Sequence, residues 1–470
     1  DLTPRIIEVS EAFGLGVSEE KSFTVYKDFR MGFNRGDVVY ITGDSGGGKS
    51  LLLRKIQEYL KNYNTLALEE VEPNPDEQVV ETIGKDLDDA IHKLSLMGLN
   101  DAFIFLRKFK ELSDGQKYRF RLAKMLDNEP EFIFIDEFCA NLDRTTAKVI
   151  AYNLQRVCRK KNIGLFVATT HRDLEEDLNT SLFIEKRFMD EVVMSYRTPE
   201  KKPISFYDDI VFEEGTIRDY KTLSKYHYKN TSSNIPYCRI VRARHGRDLV
   251  GVALFSPPLL QTKGRTIRFD KKYSLMSKEN VREINDKFIR GSRYVLSPKY
   301  RGCGLGQKLV LESLPFIKDK KYLEVITVMG KYNPVFEKAG MEKIEITEET
   351  DPPTLRLDAW MRDKGLKIEE LHNPRYFKRW IDSLSEDDKN ILKLMVGKVL
   401  HHPKIGLSNK DGRRAEVVAQ EERYKKVSFE EVYEEIISYV PKLYSGMTLY
   451  YLIENPHFVE KKKSSVFDYE

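Results

Sequence analysis

A glycine-rich segment between an apolar strand and a helical pattern constrains this chain more than any other feature. Gly43–Ser50 has the spacing GxxxxGKS, follows the apolar run Asp37–Thr42 and precedes the helical pattern Leu51–Leu60. Glycines at such a point let backbone N–H groups surround a phosphate, and the helix N-terminus adds its dipole. We expect Lys49 to reach the β and γ oxygens of a nucleoside triphosphate and Ser50 to ligate Mg²⁺.

Four further motifs follow this loop in order. They are LSDGQ at Leu112–Gln116, the apolar run Phe132–Ile135 with Asp136 and Glu137 after it, Asn141–Asp143, and Thr169–His171. With the glycine loop, they resemble the Walker A, signature, Walker B, D-loop and switch-histidine motifs of the ATP-binding-cassette (ABC) family. The resemblance covers residues 1 to about 195 and implies that ATP and Mg²⁺ are bound there.

The ABC resemblance implies a role for each matching residue. Asp136 would hold Mg²⁺ together with Ser50, Glu137 would be the general base, and His171 would contact the γ-phosphate. Ser113 and Gly115 would cap the ATP of a second subunit, so a chain with one set of motifs is expected to form a homodimer. The residues expected to bind ATP are Gly43, Ser45, Gly46, Gly48, Lys49, Ser50, Gln78, Ser113, Gly115 and Asp143.

Some positions depart from the family pattern or leave a choice open. Asp114 stands where the signature usually has glycine. The stretch between the glycine loop and the signature is short, which contracts the region that docks on transmembrane partners in this family and makes a transporter role less expected. Gln78 is the Q-loop candidate, with Glu72 as the alternative. The candidates for stacking on adenine are Phe13, Phe23 and Tyr26.

A second glycine-rich loop follows a strand in the other half of the chain. Arg301–Gly306 has the spacing RxxGxG and lies between the strand pattern Ser292–Ser297 and the helical pattern Gln307–Phe316. A strand pattern at Tyr322–Val328 and the segment Asn333–Met341 follow. This series resembles the GNAT acetyltransferases over about residues 205 to 349. Unpaired N–H groups at the start of the helix suit the pyrophosphate of acetyl-CoA.

The GNAT resemblance implies a set of acetyl-CoA contacts and leaves the catalytic groups open. The residues expected to contact the cofactor are Arg301, Gly302, Gly304 and Gly306 at the pyrophosphate, Val295 and Leu296 along pantetheine, and Asn333. The tyrosine that often serves as the acid in this family falls on Phe336, and Tyr332 is the substitute. For the base, the candidates are Glu283, Asp286 and Glu324, with a slight preference for Glu283. A domain that binds CoA without catalysis is the alternative.

The formal net charge of +4 hides a basic segment. Gly215–Arg301 contains 20 Lys or Arg and 6 Asp or Glu, a local charge of +14, which leaves −10 on the remaining residues. Cations interleaved with tyrosines favour phosphate neutralisation and base stacking. We expect an amine of a nucleic acid to be the acetyl acceptor, tRNA first and DNA second. The alternatives are a protein or small-amine N-acetyltransferase with a regulatory ATPase, and a non-catalytic ATP-driven nucleic-acid clamp.

These patterns predict an α/β multidomain chain. Its parts are an ABC-type P-loop ATPase domain at 1–196, a GNAT-type mixed α/β acyltransferase domain at 197–350, and a mainly helical accessory domain at 351–470. The longest apolar stretches fall far short of the roughly 20 residues that cross a bilayer, and Asp1–Glu8 has no apolar signal-peptide core. We therefore expect a cytoplasmic protein with no membrane partner.

Overall fold

The computed structural model describes residues 3–14, 24–187, 190–226, 236–327, 330, 334–344, 352–366, 374–400, 422–443 and 449–460. The chain divides into two compact units. Unit 1 comprises Asp1–Ser233, Ile240–Ala253 and Tyr294–Glu312, and unit 2 comprises Asn234–Arg239, Leu254–Arg293 and Ser313–Glu470. These divisions do not coincide with the boundaries expected at residues 196 and 350, and the three-domain organisation stays a prediction.

A six-stranded sheet lies in unit 1. Its strands, in chain order, are β1 (Val38–Gly43), β2 (Thr65–Ala67), β3 (Phe132–Ile135), β4 (Gly164–Ala168), β5 (Leu182–Lys186) and β6 (Val192–Tyr196). The spatial order is β2-β3-β4-β1-β5-β6. The first five strands are parallel, and β6 is antiparallel to β5 at the edge. Strands β1, β3 and β4 are buried along their whole length, which explains their continuous apolar runs.

Along the chain, helices precede β1 or lie between the strands of this sheet. They are α1 (Pro4–Ala12), α2 (Lys49–Tyr59), α3 (Leu87–Leu96), α4 (Ala102–Phe105), α5 (Asp114–Asp127), α6 (Arg144–Lys161) and α7 (Glu175–Leu178). Leu94, Phe120 and Ile150 bring α3, α5 and α6 into one core with strand residues such as Ile133. A second core lies around α2, where Leu53 packs with residues of the sheet. Apolar residues three and four apart on these helices make this packing possible.

Seven strands form a second sheet. They are β7 (Ile210–Glu214), β8 (Arg239–His245), β9 (Asp248–Ser256), β10 (Phe288–Leu296), β11 (Tyr322–Thr327), β12 (Glu342–Ile344) and β13 (Leu449–Glu454), in the spatial order β12-β13-β11-β10-β9-β8-β7. Strands β10 and β11 are parallel, and their register ends where Gly291 pairs with Val325, although β10 continues to Leu296. Strand β13 is antiparallel to both β11 and β12.

The remaining helices accompany the second sheet or follow it. They are α8 (Ile217–Ser224), α9 (Lys263–Arg268), α10 (Lys278–Lys287), α11 (Leu305–Glu312), α12 (Val335–Lys338), α13 (Pro352–Asp363), α14 (Pro374–Asp382), α15 (Glu386–Leu400) and α16 (Phe429–Leu443). Helices α13 to α16 share a core that contains Leu357, Trp380, Leu392 and Ile436. None of the described helices combines the length and the hydropathy needed to cross a bilayer.

The end of the described chain differs from the expected helical part at 351–470. Leu449–Glu454 is strand β13, and it lies between β11 and β12 rather than among the helices. Its residues LYYLIE are an apolar run of strand length with two aromatic side chains, a pattern typical of a buried strand. The helices α13 to α16 are therefore inserted, along the chain, between two strands of one sheet.

A buried ion pair joins α9, β11 and β13 within unit 2. Arg265 Nη2 donates to Glu324 Oε1 at 2.7 Å, and both side chains are almost inaccessible, at 1% and 0% exposed. The Tyr450 hydroxyl donates to Glu324 Oε2 at 2.7 Å. Arg265 also donates to the carbonyls of Leu259 and Leu260. Every charge in this group therefore has partners, as burial requires.

Replacing Glu324 with Ala is expected to destabilise unit 2 by about 3–5 kcal/mol, because the change leaves the Arg265 guanidinium buried and unpaired. Glu342→Ala is the matched control, since its ion pair with Arg268 is half exposed and is worth about 0–1 kcal/mol. Urea unfolding followed by tryptophan fluorescence measures both changes. Equal losses in the two variants would contradict this description of the core.

Candidate functional site

The motifs of unit 1 meet at one edge of the six-stranded sheet. Ile41 of β1 pairs with Ala168 of β4, and Ile135 of β3 pairs with Val167. The carboxyl ends of β1, β3 and β4 are therefore level, and the chain segments that follow them leave the sheet at the same edge. Open parallel sheets bind ligands at this edge.

The backbone of the first glycine loop requires glycine at two positions. Gly43 has φ +138°, and a Cβ there would lie 2.0 Å from the Lys186 carbonyl oxygen. Gly48 has φ +96°, and a Cβ there would lie 2.3 Å from Val25 Cγ1. Helix α2 begins at the next residue, Lys49. The N–H groups of the first turn of α2 therefore adjoin the loop, as anion binding requires.

Lys49 and Tyr26 contact the loop itself. Lys49 Nζ donates to the Gly43 and Asp44 carbonyls at 2.9 and 2.7 Å. Burial lowers the pKa of Lys49, and the charges of Asp136 and Asp44 oppose this effect. The Tyr26 hydroxyl donates to the Gly48 carbonyl at 2.9 Å. Of the three aromatic candidates, Tyr26 lies at the loop, Phe13 is 75% exposed, and Phe23 lies outside the described residues.

Local hydrogen bonds hold the segments that follow β3 and β4. Glu137 has φ +47°, and its amide donates to Asp136 Oδ1 at 2.9 Å. The His171 carbonyl accepts hydrogen bonds from the Thr42 hydroxyl at 3.2 Å and from the Tyr40 hydroxyl. These contacts tie the segment after β4 to strand β1. Asp136 and His171 thus follow neighbouring strands at the edge where the glycine loop begins.

The signature residues lie at the start of α5. The Ser113 amide donates to Gln116 Oε1 at 3.0 Å, which closes a capping interaction. A Cβ at Gly115 would lie 3.2 Å from Leu142 Cδ2, so the signature packs against the segment before α6. Asp143 caps α6 and accepts hydrogen bonds from Thr146. The Asp114 carboxylate is 99% exposed.

Gln78 is held by its backbone rather than by its side chain. It forms an isolated antiparallel bridge with Lys108, and the side chain is exposed. The amide of the next residue, Val79, donates to the Arg107 carbonyl at 2.9 Å. This segment thus runs beside the stretch that leads into the signature. Ser45, Gly46 and Ser50 lie within the first glycine loop or at the start of α2.

The second glycine loop is anchored by a partly buried arginine within unit 1. Arg301 Nε donates to the Leu296 carbonyl at 2.9 Å, and Nη2 donates to the Tyr226 carbonyl at 3.1 Å. Nη1 donates to both the carbonyl and the side-chain oxygen of Asn100, each at 3.2 Å. Burial lowers the pKa of Arg301. The GNAT resemblance predicts a pyrophosphate contact for this guanidinium. In the structure the guanidinium instead donates to oxygen atoms of the protein.

One side of the second loop is packed and the other is open. Gly302 has φ +87°, and a Cβ there would lie 2.8 Å from Asn153 Nδ2 of α6. Gly304 has φ +90°, and a Cβ there would meet no atom within 4 Å among the described residues. Helix α11 begins at Leu305, with Gly306 in its first turn. Before the loop, Val295 is buried in β10.

The carboxylates considered as the transferase base differ in their surroundings. Burial raises the pKa of Glu283, but hydrogen bonds from Lys272 and Lys287 outweigh this effect and lower the pKa to about 2. Such a carboxylate is a weak base at neutral pH. Glu324 is closed within the buried ion pair. Asp286 is 70% exposed and lies 3.8 Å from Arg282.

Of the two aromatic positions considered for the transferase acid, the structure describes only Phe336. Tyr332 and Asn333 lie outside the described residues. Phe336 is buried, and its ring centroid lies 5.4 Å from that of Tyr451. The Tyr451 hydroxyl donates to Glu337 Oε1 at 2.9 Å. Tyr451 therefore provides a hydroxyl group beside Phe336. The local motif does not reveal this group, because more than a hundred residues separate Tyr451 from Phe336 along the chain.

Many cations of the basic segment are paired with carboxylates, several of which come from outside the segment. The pairs are Arg239 with Asp319, Arg242 with Glu213 and Asp219, Arg265 with Glu324, Arg268 with Glu342, Lys272 and Lys287 with Glu283, and Lys299 with Asp248. The local charge of +14 therefore overstates the charge available to a polyanion.

Comparisons with known proteins match part of the chain. No family model matches it. An uncharacterized ABC transporter ATP-binding protein of Methanocaldococcus jannaschii is 25% identical over 189 residues, which are 33% of this chain and 64% of that protein. The lipoprotein-releasing system ATP-binding protein LolD of Ehrlichia ruminantium is 38% identical over 80 residues, 17% of this chain and 34% of that protein. The chain thus spans less than two thirds of the length of these relatives.

Solved structures of ATP-binding cassettes are similar to about a third of this chain. Among solved structures, a nucleotide-free ATP-binding cassette from an ABC transporter is similar at 17% identity with a TM-score of 0.31, covering 38% of this chain and 88% of the cassette. A dimeric bacterial ABC transporter cassette is similar at 18% identity with a TM-score of 0.30, covering 37% of this chain and 91% of the cassette.

Proposed function

We propose that this chain binds and hydrolyses ATP with Mg²⁺ at the first glycine loop and transfers an acetyl group from acetyl-CoA at the second. The observation that carries the ATPase assignment is the shared edge of β1, β3 and β4. It assembles a phosphate-binding loop with Lys49, an acidic pair at Asp136 and Glu137, and a histidine at His171.

The oxygen ligands at this edge suit Mg²⁺. No described group of three or more His, Cys, Asp or Glu side chains could hold a metal ion by itself. Mg²⁺ is usually bound by one or two protein oxygens together with substrate phosphates, and Ser50 and Asp136 supply such oxygens. The metal would neutralise charge on the phosphates. Glu137 would accept a proton from the attacking water, and Lys49 would stabilise negative charge on the phosphates.

Lys49→Ala is expected to lower the rate of ATP hydrolysis by about 10²–10³, because it removes a buried cation that stabilises the developing phosphate charge. Lys55→Ala is the matched control, since Lys55 lies on the same helix in an exposed ion pair with Glu58. Phosphate release measures both rates. Hydrolysis that persists in Lys49→Ala would contradict the ATP site.

A homodimer follows from the single set of motifs. Ser113 and Gly115 begin α5, and in the proposed dimer they would cap ATP held by the glycine loop of the partner subunit. Two identical chains would then bury two ATP molecules between them. Neither ATP-binding site would be complete within one protomer.

Glu137→Gln is expected to form a stable dimer in ATP and Mg²⁺, because the variant binds ATP without a group that accepts the proton of water. Size-exclusion chromatography with light scattering measures the mass with ATP, with ADP and without nucleotide. Glu129→Gln is a surface control, since Glu129 forms an exposed ion pair with Lys161. A monomer under all three conditions would contradict the ATP sandwich.

Two features support acetyl-CoA at the second loop. Gly302 and Gly304 have positive φ directly before α11, and the Gly304 side is open, so N–H groups at the start of α11 can approach a pyrophosphate. Strand β10 continues beyond the end of its register with β11. Its last residues, Val295 and Leu296, could therefore pair with the amide groups of pantetheine.

In the proposed transfer, an amine nitrogen of the acceptor bonds to the acetyl carbonyl carbon. The C–S bond of the thioester breaks, and CoA leaves as the thiol. The amine proton passes to a base, for which none of the three carboxylates is favoured by its surroundings. A nucleic acid, tRNA before DNA, remains the proposed acceptor, and cations that are interleaved with tyrosines support it.

The contacts of Arg301 support control of transfer by ATP. Arg119 of α5 donates to the Gly115 carbonyl at 3.1 Å and to the Gly98 carbonyl at 3.0 Å. Asn100, two residues further on, accepts the hydrogen bonds of Arg301. The hydrogen bonds of Arg119, the chain segment from Gly98 to Asn100 and the hydrogen bonds of Arg301 thus connect the signature to the second glycine loop within unit 1. ATP bound at the signature would alter the loop through this path.

The transferase is tested with labelled acetyl-CoA and four acceptors, namely tRNA, single-stranded DNA, double-stranded DNA and a peptide mixture, each with and without ATP. We expect label on nucleic acid, and we expect Gly304→Leu to lose it because a side chain would fill the open side of the loop. Gly246→Leu is the control, since Gly246 also has positive φ and open space around it.

Label on peptides alone would favour a protein N-acetyltransferase. Label on no acceptor would contradict acetyl transfer and favour a nucleic-acid clamp. Equal transfer by Gly304→Leu and Gly246→Leu would remove the second loop from the cofactor site.

A further inference from the structure

A cavity lies in unit 2 where the register of β10 with β11 ends. Its volume is about 290 Å³. Two of its six lining residues are arginines on one strand, Arg290 and Arg293. The lining residues are Leu259, Arg290, Gly291, Ser292, Arg293 and Ile326. Four of the lining residues, 290–293, lie in β10. Tyr294 separates them along the chain from Val295 and Leu296, the segment proposed for pantetheine.

The two arginines lack the compensation that the neighbouring Arg265 has. The Arg265 guanidinium contacts both oxygens of Glu324, which also accepts the Tyr450 hydroxyl. The Nε atoms of Arg290 and Arg293 are buried and have no hydrogen-bond partner. Arg293 Nη1 donates to the Ser292 carbonyl at 2.7 Å. Among the described residues, neither arginine forms an ion pair with a carboxylate.

Among the described residues, the groups around the cavity are mainly cationic. Three guanidinium groups, which stay protonated in proteins, accompany the carboxylate of Glu324 there. Burial lowers the pKa of Arg290, the charge of Glu324 raises it, and the charge of Arg293 lowers it further. Buried donors without partners and two nearby cations cost free energy in the folded protein. An anion held in the cavity would remove both costs.

We propose that this cavity binds a phosphate group of the acetyl acceptor. The proposal rests on the proposed acetyl transfer, because it is the acceptor that the cavity would orient. Guanidinium groups bind phosphate through paired, charge-assisted hydrogen bonds. Each backbone phosphate of a nucleic acid carries one negative charge, and a terminal phosphate monoester carries about −1.5 to −2 charges at neutral pH, so either group would offset positive charge on the two arginines. The cavity volume lies near the lower end of the range of about 300–1,000 Å³ that is usual for ligand pockets, and a phosphate group fits within it.

The closing experiment measures inorganic phosphate binding by calorimetry, with ADP, Mg²⁺ and acetyl-CoA saturating so that the two glycine loops are occupied. The variants are R290Q/R293Q, which removes both charges, and R290K/R293K, which keeps them. R282Q is the control, since Arg282 is 83% exposed beside Asp286. We expect R290Q/R293Q to weaken phosphate binding roughly tenfold or more, with R290K/R293K intermediate and R282Q unchanged. Equal binding in wild type and R290Q/R293Q, with both folded by circular dichroism, would overturn the proposal.

A second measurement distinguishes the two sources of phosphate. Acetyl-CoA and acetyl-dephospho-CoA are titrated into wild type and R290Q/R293Q. We expect the substitutions to leave both affinities unchanged and to raise the KM for the acceptor. A loss of affinity for acetyl-CoA alone would assign the cavity to the phosphate of the cofactor and overturn the acceptor assignment. Another outcome is phosphate binding that depends on the two arginines while no acceptor becomes acetylated. That result would contradict the proposed transferase and the acceptor assignment, and it would support an anion-binding site in the cavity.

Discussion

The guanidinium of Arg301 holds the second glycine loop in place. Its donors bind the carbonyls of Leu296, Tyr226 and Asn100 together with the Asn100 side chain. A partly buried guanidinium that donates to several carbonyls holds those segments relative to one another, because each lost contact leaves a donor or a carbonyl unpaired. The open side of the loop at Gly304 depends on this arrangement.

The first glycine loop depends on a different constraint, the level carboxyl ends of three parallel strands. This part of the site was predictable from sequence. The strand pattern before Gly43, the carboxylates after Ile135 and the histidine after Ala168 each lie at the end of a buried strand, and parallel strands bring their carboxyl ends to one edge. The strand order was not predictable from these local patterns, since pairing depends on residues far apart in the chain.

Other features arise from contacts that no local pattern contains. The run Leu449–Glu454 has the composition of a strand, but its place between β11 and β12 depends on partners more than a hundred residues away. The charge of the basic segment alone predicts a surface that binds nucleic acid. Carboxylates outside the segment, such as Asp319 and Glu342, neutralise part of that charge. The RxxGxG spacing predicts a phosphate contact for Arg301 but cannot reveal Asn100 as a partner.

The central proposal is that the signature at the start of α5 and the second glycine loop are coupled through Arg119, Asn100 and Arg301. The most direct measurement is the Kd for acetyl-CoA in Glu137→Gln, with and without ATP and Mg²⁺, compared with the same variant carrying Arg119→Met or, as a control on the same helix, Lys117→Met. We expect ATP to change the Kd for acetyl-CoA by about fivefold or more. Arg119→Met is expected to remove this change, and Lys117→Met is expected to keep it. A Kd that is the same with and without ATP would contradict the coupling.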